Sequence, residues 1–413
     1  MAEKRVVITG VGIIASNGIG KEAFISSVIQ GVSGIKPVSL FDTASFKAKL
    51  AGEARDFKAE DFLGAKGLRT LDRSTKLASA CTKLALEDAN LQIREDNAAE
   101  IGMALGTTLG SISSIIDFDK EALVEGPRYV NPALFPNTVI NSPASQVAIR
   151  FGIKGFNATI STGFSASLDA FGYALDFLRA GRASFVLSGG VEELCLQTFL
   201  GFYKSGCLAG ADGIGLEISS PFDQRRNGVI LGEGSGIFLL EDLDSAKERK
   251  AEIYAEVKGF GTGFMPHSIN KYDLSAKGLC RAMRLALDQS KLNPEDIDYI
   301  CAAANSTQDA DLIETKAVKE VFGSHAPEVP LSAPKSMLGE CFSASGSFGL
   351  ATALGAIEKQ SIPPTINYQE KDPLCDLDYV VNQSRSKKIE NVLINAFGPS
   401  GCNSSLVVSR FKG

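Results

Sequence analysis

Strand-like and helix-like segments alternate along the whole chain, and this alternation constrains the fold more than any other feature. Short apolar runs are expected as strands at residues 6–9, 101–105, 158–161, 185–188, 235–241, 253–258, 299–303, 391–395 and 405–409. Between them, helices are expected over 21–30, 72–89, 143–151, 165–180, 277–289, 309–322 and 343–359. Such alternation argues an α/β fold with parallel or mixed sheets. At 413 residues the chain can bury a large core.

The chain also resembles itself. The stretch from Val7 to Gly12 reads like that from Val257 to Gly261, and the Ala- and Gly-rich run from Ser165 reads like the one from Ser343. Leu168, Phe171, Leu175 and Leu178 fall at helical spacing, so one face of that helix packs. Small residues elsewhere on both helices fit burial between two sheets. The reading is an internally duplicated αβ fold whose halves pack face to face. The charged stretch 247–251 is a plausible seam.

Several function classes are weakened by composition. A net charge of −6 argues against a nucleic-acid binder with a broad basic face. No apolar stretch reaches membrane-spanning length, roughly 20 residues. The eight cysteines are scattered without a CxxC pair, so they read as small buried hydrophobes in a reducing cytoplasm. No metal-ligand spacing exists, and no cofactor is expected. Gly10, Gly12 and Ala15 match a dinucleotide-binding loop, but no acidic residue follows about 20 positions on. Those glycines are expected to form a tight strand exit instead. The only histidines, His267 and His325, sit in loop-like sequence and read as surface residues.

Residues 157–167 read as a buried strand, a turn of small residues, then a helix. That is the layout of a nucleophile elbow, where the helix dipole favours a thiolate. The presenting position holds Phe164, and a phenyl ring is no nucleophile.

The stretch from Ser220 to Gly236 is dense in turn formers and charge. Its simplest reading pairs Arg225 or Arg226 with Asp223 or Glu233. Pro221, Phe222, Asp223, Arg226 and Gly228, then Gly232 and Glu233, resemble the β-ketoacyl synthases of fatty acid and polyketide assembly. So do Pro136 and Asn137, the run from Gln146 to Ile149, Ser188 to Gly190, Lys335 to Gly339, and Asn395 to Gly398. The resemblance runs from residue 4 to about residue 409. It implies a thiolase-like fold of two duplicated halves in five layers, α-β-α-β-α, with halves 1–250 and 251–413, and an obligate dimer.

Carried over position by position, the resemblance places Phe164 where the family has its acyl-accepting cysteine. It places Ala303 at the first histidine and Glu340 at the second, with the family's lysine kept as Lys335. Pro399 replaces the phenylalanine that gates the acyl pocket, in a loop running through Ser400. Condensation needs a thiolate and two neutral imidazoles. Lys335 with Asp311, Glu314 or Glu340 could form a buried ion pair that holds the pocket together. The cysteines near these positions, Cys301, Cys341 and Cys402, read as packing residues.

The set of departures resembles the chain-length factors of type II polyketide and aryl-polyene systems. These lack the catalytic cysteine and pair with an active ketosynthase subunit. The resemblance then implies a heterodimer and an acyl carrier protein as partners. Phe164 and Phe342 would plug the former site, and Thr107, Ile112, Ile116, Phe135 and Phe342 would line a tunnel. Lys66, Arg69, Arg73 and Lys76 would form a basic patch for the acidic carrier protein. Two other readings stay open: an active acyltransferase with atypical residues, and a homodimeric scaffold for acyl chains.

Overall fold

The computed structural model describes residues 4–266, 268, 271–399 and 401–413. His267 and Ser400 therefore lie outside the described residues. Ten strands build one sheet: β1 (Val6–Ala15), β2 (Ile101–Gly106), β3 (Asn157–Ile160), β4 (Phe185–Glu192), β5 (Gly234–Asp242), β6 (Ala255–Phe264), β7 (Tyr299–Cys301), β8 (Leu331–Ser332), β9 (Asn391–Phe397) and β10 (Cys402–Arg410). The short strand Gly18–Ile19 adds an eleventh at β1. The main helices are α1 (Lys21–Gln30), α2 (Arg73–Asp88), α3 (Ile112–Val124), α4 (Ser142–Phe151), α5 (Ala166–Arg179), α6 (Leu196–Lys204), α7 (Lys277–Ser290), α8 (Gln308–Phe322) and α9 (Ser343–Lys359).

The spatial order is β3-β2-β4-β5-β1-β6-β10-β9-β7-β8. Five strands on each side of the β1–β6 junction repeat one topology. In the first, β1–β5 and β5–β4 are antiparallel while β4–β2 and β2–β3 are parallel. In the second, β6–β10 and β10–β9 are antiparallel while β9–β7 and β7–β8 are parallel. The two sets meet where Val6 to Ile8 of β1 pair with Val257 to Ala255 of β6.

Side-chain alternation sorts the strands into layers, because successive residues point to opposite faces. Phe238 and Leu240 of β5, Val392 and Ile394 of β9, and Leu406 and Val408 of β10 face a central core shared with α5 and α9. Leu239 of β5 and Leu187 of β4 face the opposite way, onto α2 and α4. Leu393 and Val407 likewise face α7 and α8. Helices, sheet, helices, sheet and helices make the thiolase-like α-β-α-β-α stack that the resemblance implied.

The glycine pairs on β1 and β6 show how the outer helices seat. A Cβ on Gly12 would lie 1.9 Å from the Cys81 carbonyl oxygen of α2, and one on Gly10 would lie 2.4 Å from that of Ala85. In the other half, Gly261 and Gly259 stand 2.1 and 2.3 Å, by the same measure, from the carbonyls of Ala282 and Ala286 on α7. The glycines remove side chains where a helix backbone lies against the strand. This corrects the expected strand exit at Gly10, since β1 runs on to Ala15 and β6 runs on to Phe264. Two helices, α3 and α6, fall where the sequence reading placed none.

Candidate functional site

The strand β3 enters a tight turn, Gly163–Ser165, and α5 begins at Ala166. The turn presents Phe164, which is 8 % exposed. Its ring meets Phe342 edge-on with centroids 5.1 Å apart, and Phe342 in turn meets Phe202 at 5.2 Å. From the other side the backbone at Gly398 closes in, so that a Cβ there would lie 2.7 Å from the Phe164 ring. Phe342 caps α9 with φ 46° and ψ −117°, a region that favours glycine. The space around the turn is thus filled by three aromatic rings and a loop. The neighbouring hydroxyls of Thr162, Ser165 and Ser404 all donate to Asp169. Burial raises the Asp169 carboxyl above its ordinary range, against the lowering effect of those three hydrogen bonds.

Beside this plug lies a buried polar cluster. Lys335 donates to Glu340 at 2.7 Å, and both side chains are almost fully buried. Glu340 also accepts from the Asn305 amide at 3.0 Å, the Ser345 hydroxyl at 2.9 Å and the Phe342 backbone N–H at 2.9 Å. Four donors satisfy this carboxylate. Of the three acids named as partners for Lys335, the structure selects Glu340.

The other two acids hold backbone. Glu314 accepts from the N–H groups of Ala303 and Ala304 and from the Asn395 amide. Burial pushes Glu314 up to about 7, with these hydrogen bonds opposing the rise. Asp311 accepts from the Phe222 and Asn305 N–H groups and lies 3.6 Å from Arg226. Burial raises it to about 6, and Arg226 opposes that. The motif around Asp223 is structural too. Asp223 pairs with Arg225 at 2.8 Å, whereas Arg226 reaches Asp372 at 2.6 Å. Glu233 pairs with neither of these arginines but with Arg73.

That last pair corrects the proposed basic patch. Arg73 turns inward onto the buried Glu233 and is not a free surface charge. Lys66 and Arg69 are exposed, and Lys76 is half-buried. Folding instead sets Lys83 and Arg150 beside Lys66, around a shallow hollow. Lys83 and Arg150 were missed because α2 and α4 bring them there from distant positions.

The residues named for a tunnel are only partly gathered. Phe342 belongs to the plug. Thr107 is buried, and its hydroxyl accepts from the Gly110 N–H at 3.0 Å. Ile112 and Ile116 are half-buried on α3, and Phe135 is exposed, 6.1 Å from Phe118. The sequence reading missed Glu192, which accepts from the N–H groups of Thr108 and Leu109 and from Ser343. It ties the 107–110 loop to the start of α9. The doublet Glu192 and Glu193, ending a buried strand, was the available signal.

His325 sits in the turn after α8, 3.1 Å from Glu328 and away from this cluster. Most of the cysteines, Cys81, Cys195, Cys280, Cys301, Cys341 and Cys375, are buried. Burial pushes Cys301 up to about 12 and raises Cys341 well above the ordinary thiol range, so both stay as thiols.

Comparison with known proteins places this geometry. The family model for the β-ketoacyl synthase N-terminal domain matches residues 3–246, and that for the C-terminal domain matches 254–369. A "3-oxoacyl-[acyl-carrier-protein] synthase 2" of Coxiella burnetii is 35% identical over 411 residues, covering 99% of each chain. The "Tetracenomycin polyketide synthase ketoacyl synthase alpha subunit" of Streptomyces glaucescens is 36% identical over 418 residues, covering 100% of this chain and 98% of that one. Among solved structures, "The ishigamide ketosynthase/chain length factor" superposes with a TM-score of 0.92 at 33% identity, covering 100% of both chains. With both domain models matched and relatives aligned end to end, the chain belongs to the β-ketoacyl synthase family.

Proposed function

We propose that this chain is a non-catalytic ketosynthase-like subunit of the chain-length-factor type. It pairs with an active β-ketoacyl synthase in fatty acid, polyketide or aryl-polyene assembly and shapes the acyl tunnel of the pair. One observation carries the reading. The turn at the start of α5 holds a phenyl ring packed against Phe342 and the Gly398 backbone, where an acyl-accepting thiol would have to stand. Ala303 and Glu340 support it. Ala303 has no polar side chain, and Glu340 is saturated by four donors, so neither polarises a thioester as a neutral imidazole would.

The surface supports a partner. β3 ends the sheet, so one of its edges is unpaired. On α4, which packs on β3, Ile149 is 75% exposed, and Phe135, Tyr129 and Leu123 in the preceding segment are exposed at 59%, 75% and 86%. Such exposed apolar residues fit burial against a second subunit. In this reading Ile112, Ile116 and Phe135 line the tunnel only once that subunit is present, and Lys66, Arg69 and Lys76 steer a carrier protein. The two halves join at about residue 250, and the setting is cytoplasmic.

The test offers the purified protein acyl carrier protein thioesters, alone and after co-expression with an active ketosynthase. The expected result is no covalent acylation of this chain by intact mass, a stable complex with the ketosynthase, and a changed product length. Condensation by this chain alone would instead make it an active synthase with atypical residues. A self-paired species that ignores every ketosynthase would make it a homodimeric acyl scaffold.

A further inference from the structure

A second cavity lies one aromatic layer away from the Lys335 cluster. Its volume is about 280 Å³, and it opens between α1, α9, the connection leading into β6 and the tail after β10. Phe24 lines it, and the Phe24 ring stacks at 5.8 Å on Phe348, which borders the small space next to Lys335. The two spaces are therefore neighbours with a closed wall between them.

The floor is apolar. Val11, Ile13, Phe24, Ala351, Leu354 and Ile357 line it, all of them buried core residues drawn from both halves of the fold. The rim is charged, through Lys21, Glu22, Glu252, Glu358 and Arg410. Its charges do not cancel. The Lys21 ammonium is held by Asp88 at 2.9 Å and rests over the Tyr254 ring, 4.1 Å from its centroid. Glu358 is paired with Lys359 at 2.6 Å, whereas Arg410 is only 3.8 Å from Glu390, which Lys412 already holds at 2.8 Å. Glu22 has only a 3.8 Å approach to Lys21, which is already paired. Glu252 is exposed and has no salt-bridge partner among the described residues. Three carboxylates and two cations thus ring an apolar floor, and Glu252 is the rim group left without a salt-bridge partner among the described residues. Tyr254 does not make the site reactive, because burial pushes its hydroxyl up to about 12 and it stays neutral while donating to Asp88.

We propose that this cavity is a binding site for a small amphiphilic amine, whose apolar tail enters between α1 and α9 and whose ammonium group is held at the rim by Glu252. Apolar pockets with a few convergent polar groups at the junction of structural units are the usual form of small-molecule sites. Such a ligand would touch both halves of the fold at once, so it would favour the folded state by mass action. The inference does not depend on the proposed role as a partner subunit.

The full-length protein is titrated calorimetrically with n-hexylammonium, hexan-1-ol and hexanoate at neutral pH. Saturable binding of the ammonium compound is expected, with weaker binding of the alcohol and none of the carboxylate. Two variants locate it. Ala351→Met fills the floor and is expected to abolish binding of amine and alcohol alike. The exposed change Glu252→Gln is expected to weaken the amine about threefold to fivefold, the range of one surface ion pair, and to leave the alcohol unchanged. If Ala351→Met does not fold, Glu252→Gln still decides. The proposal is overturned if none of the three compounds saturates, if hexanoate binds as well as the amine, or if Glu252→Gln leaves amine binding unchanged.

Discussion

Glu340 and Lys335 form the central contact of the candidate site, and their burial makes the pair fragile in one direction only. Truncating either partner strands the other charge in the core, which costs about 3–5 kcal/mol. Glu340→Leu and Lys335→Met are each expected to lose that much in denaturant titrations. The double change Lys335→Met with Glu340→Leu is expected to lose clearly less than the sum, because no charge remains unpaired. Strict additivity would mean that the two side chains do not interact. Glu314 and Asp311 act through protons. Their folded pKa values are raised to about 7 and about 6, so the folded state binds protons more tightly than the unfolded chain. Their contribution to stability is full below the ordinary carboxyl range and fades as pH rises through those values. The melting temperature is therefore expected to fall from about pH 5 to about pH 7.5, and Glu314→Gln should flatten that slope. An unchanged slope in the variant would remove Glu314 as its source.

At the scale of elements, the two glycine pairs decide how closely α2 and α7 approach β1 and β6. A methyl group at Gly12 or Gly261 would sit about 2 Å from a helix carbonyl, and neither backbone can yield without moving a whole helix. Gly12→Ala and Gly261→Ala should each destabilise by about 3 kcal/mol or more, above the usual penalty for overpacking. Gly201, inside α6 with nothing within 4 Å of its Cβ position, is the control. There Gly→Ala should stabilise by about 0.5–1 kcal/mol through helix propensity and chain entropy. Thermal unfolding of the three variants separates the cases. Equal effects at all three sites would show that close approach is not the reason for the glycines.

At the scale of the whole molecule, the end strand β3 and the apolar residues on 112–149 are the least finished part of the surface. α3 buries none of its residues, although its sequence is rich in isoleucine. Ile149→Asp places a charge on that face without touching the core. It should leave the melting temperature of the isolated chain within about 1 kcal/mol equivalent, as surface changes usually do. It should also abolish or strongly weaken co-purification with an active ketosynthase, read by size-exclusion chromatography with light scattering. A complex of unchanged stability would place the interface elsewhere.

Much of this fold was legible in the sequence because periodicity and small-residue usage are local signals. The alternation of apolar runs gave nearly every main strand and helix, and the likeness of the β1 and β6 segments reflects a topology that recurs in both halves. The glycines in those strands misled, since a Gly-x-Gly run looks like a strand exit until the helix pressed against it is known. Within the site, the identities at Phe164, Ala303, Lys335 and Glu340 could be read directly. Only tertiary structure decided which acid Lys335 pairs with, that Arg73 turns inward to Glu233, and that Arg150 and Lys83 join Lys66. The physical reason is range. Backbone preference and hydrophobic pattern act within a few residues, whereas a charge chooses its partner among groups that the chain brings together from far apart.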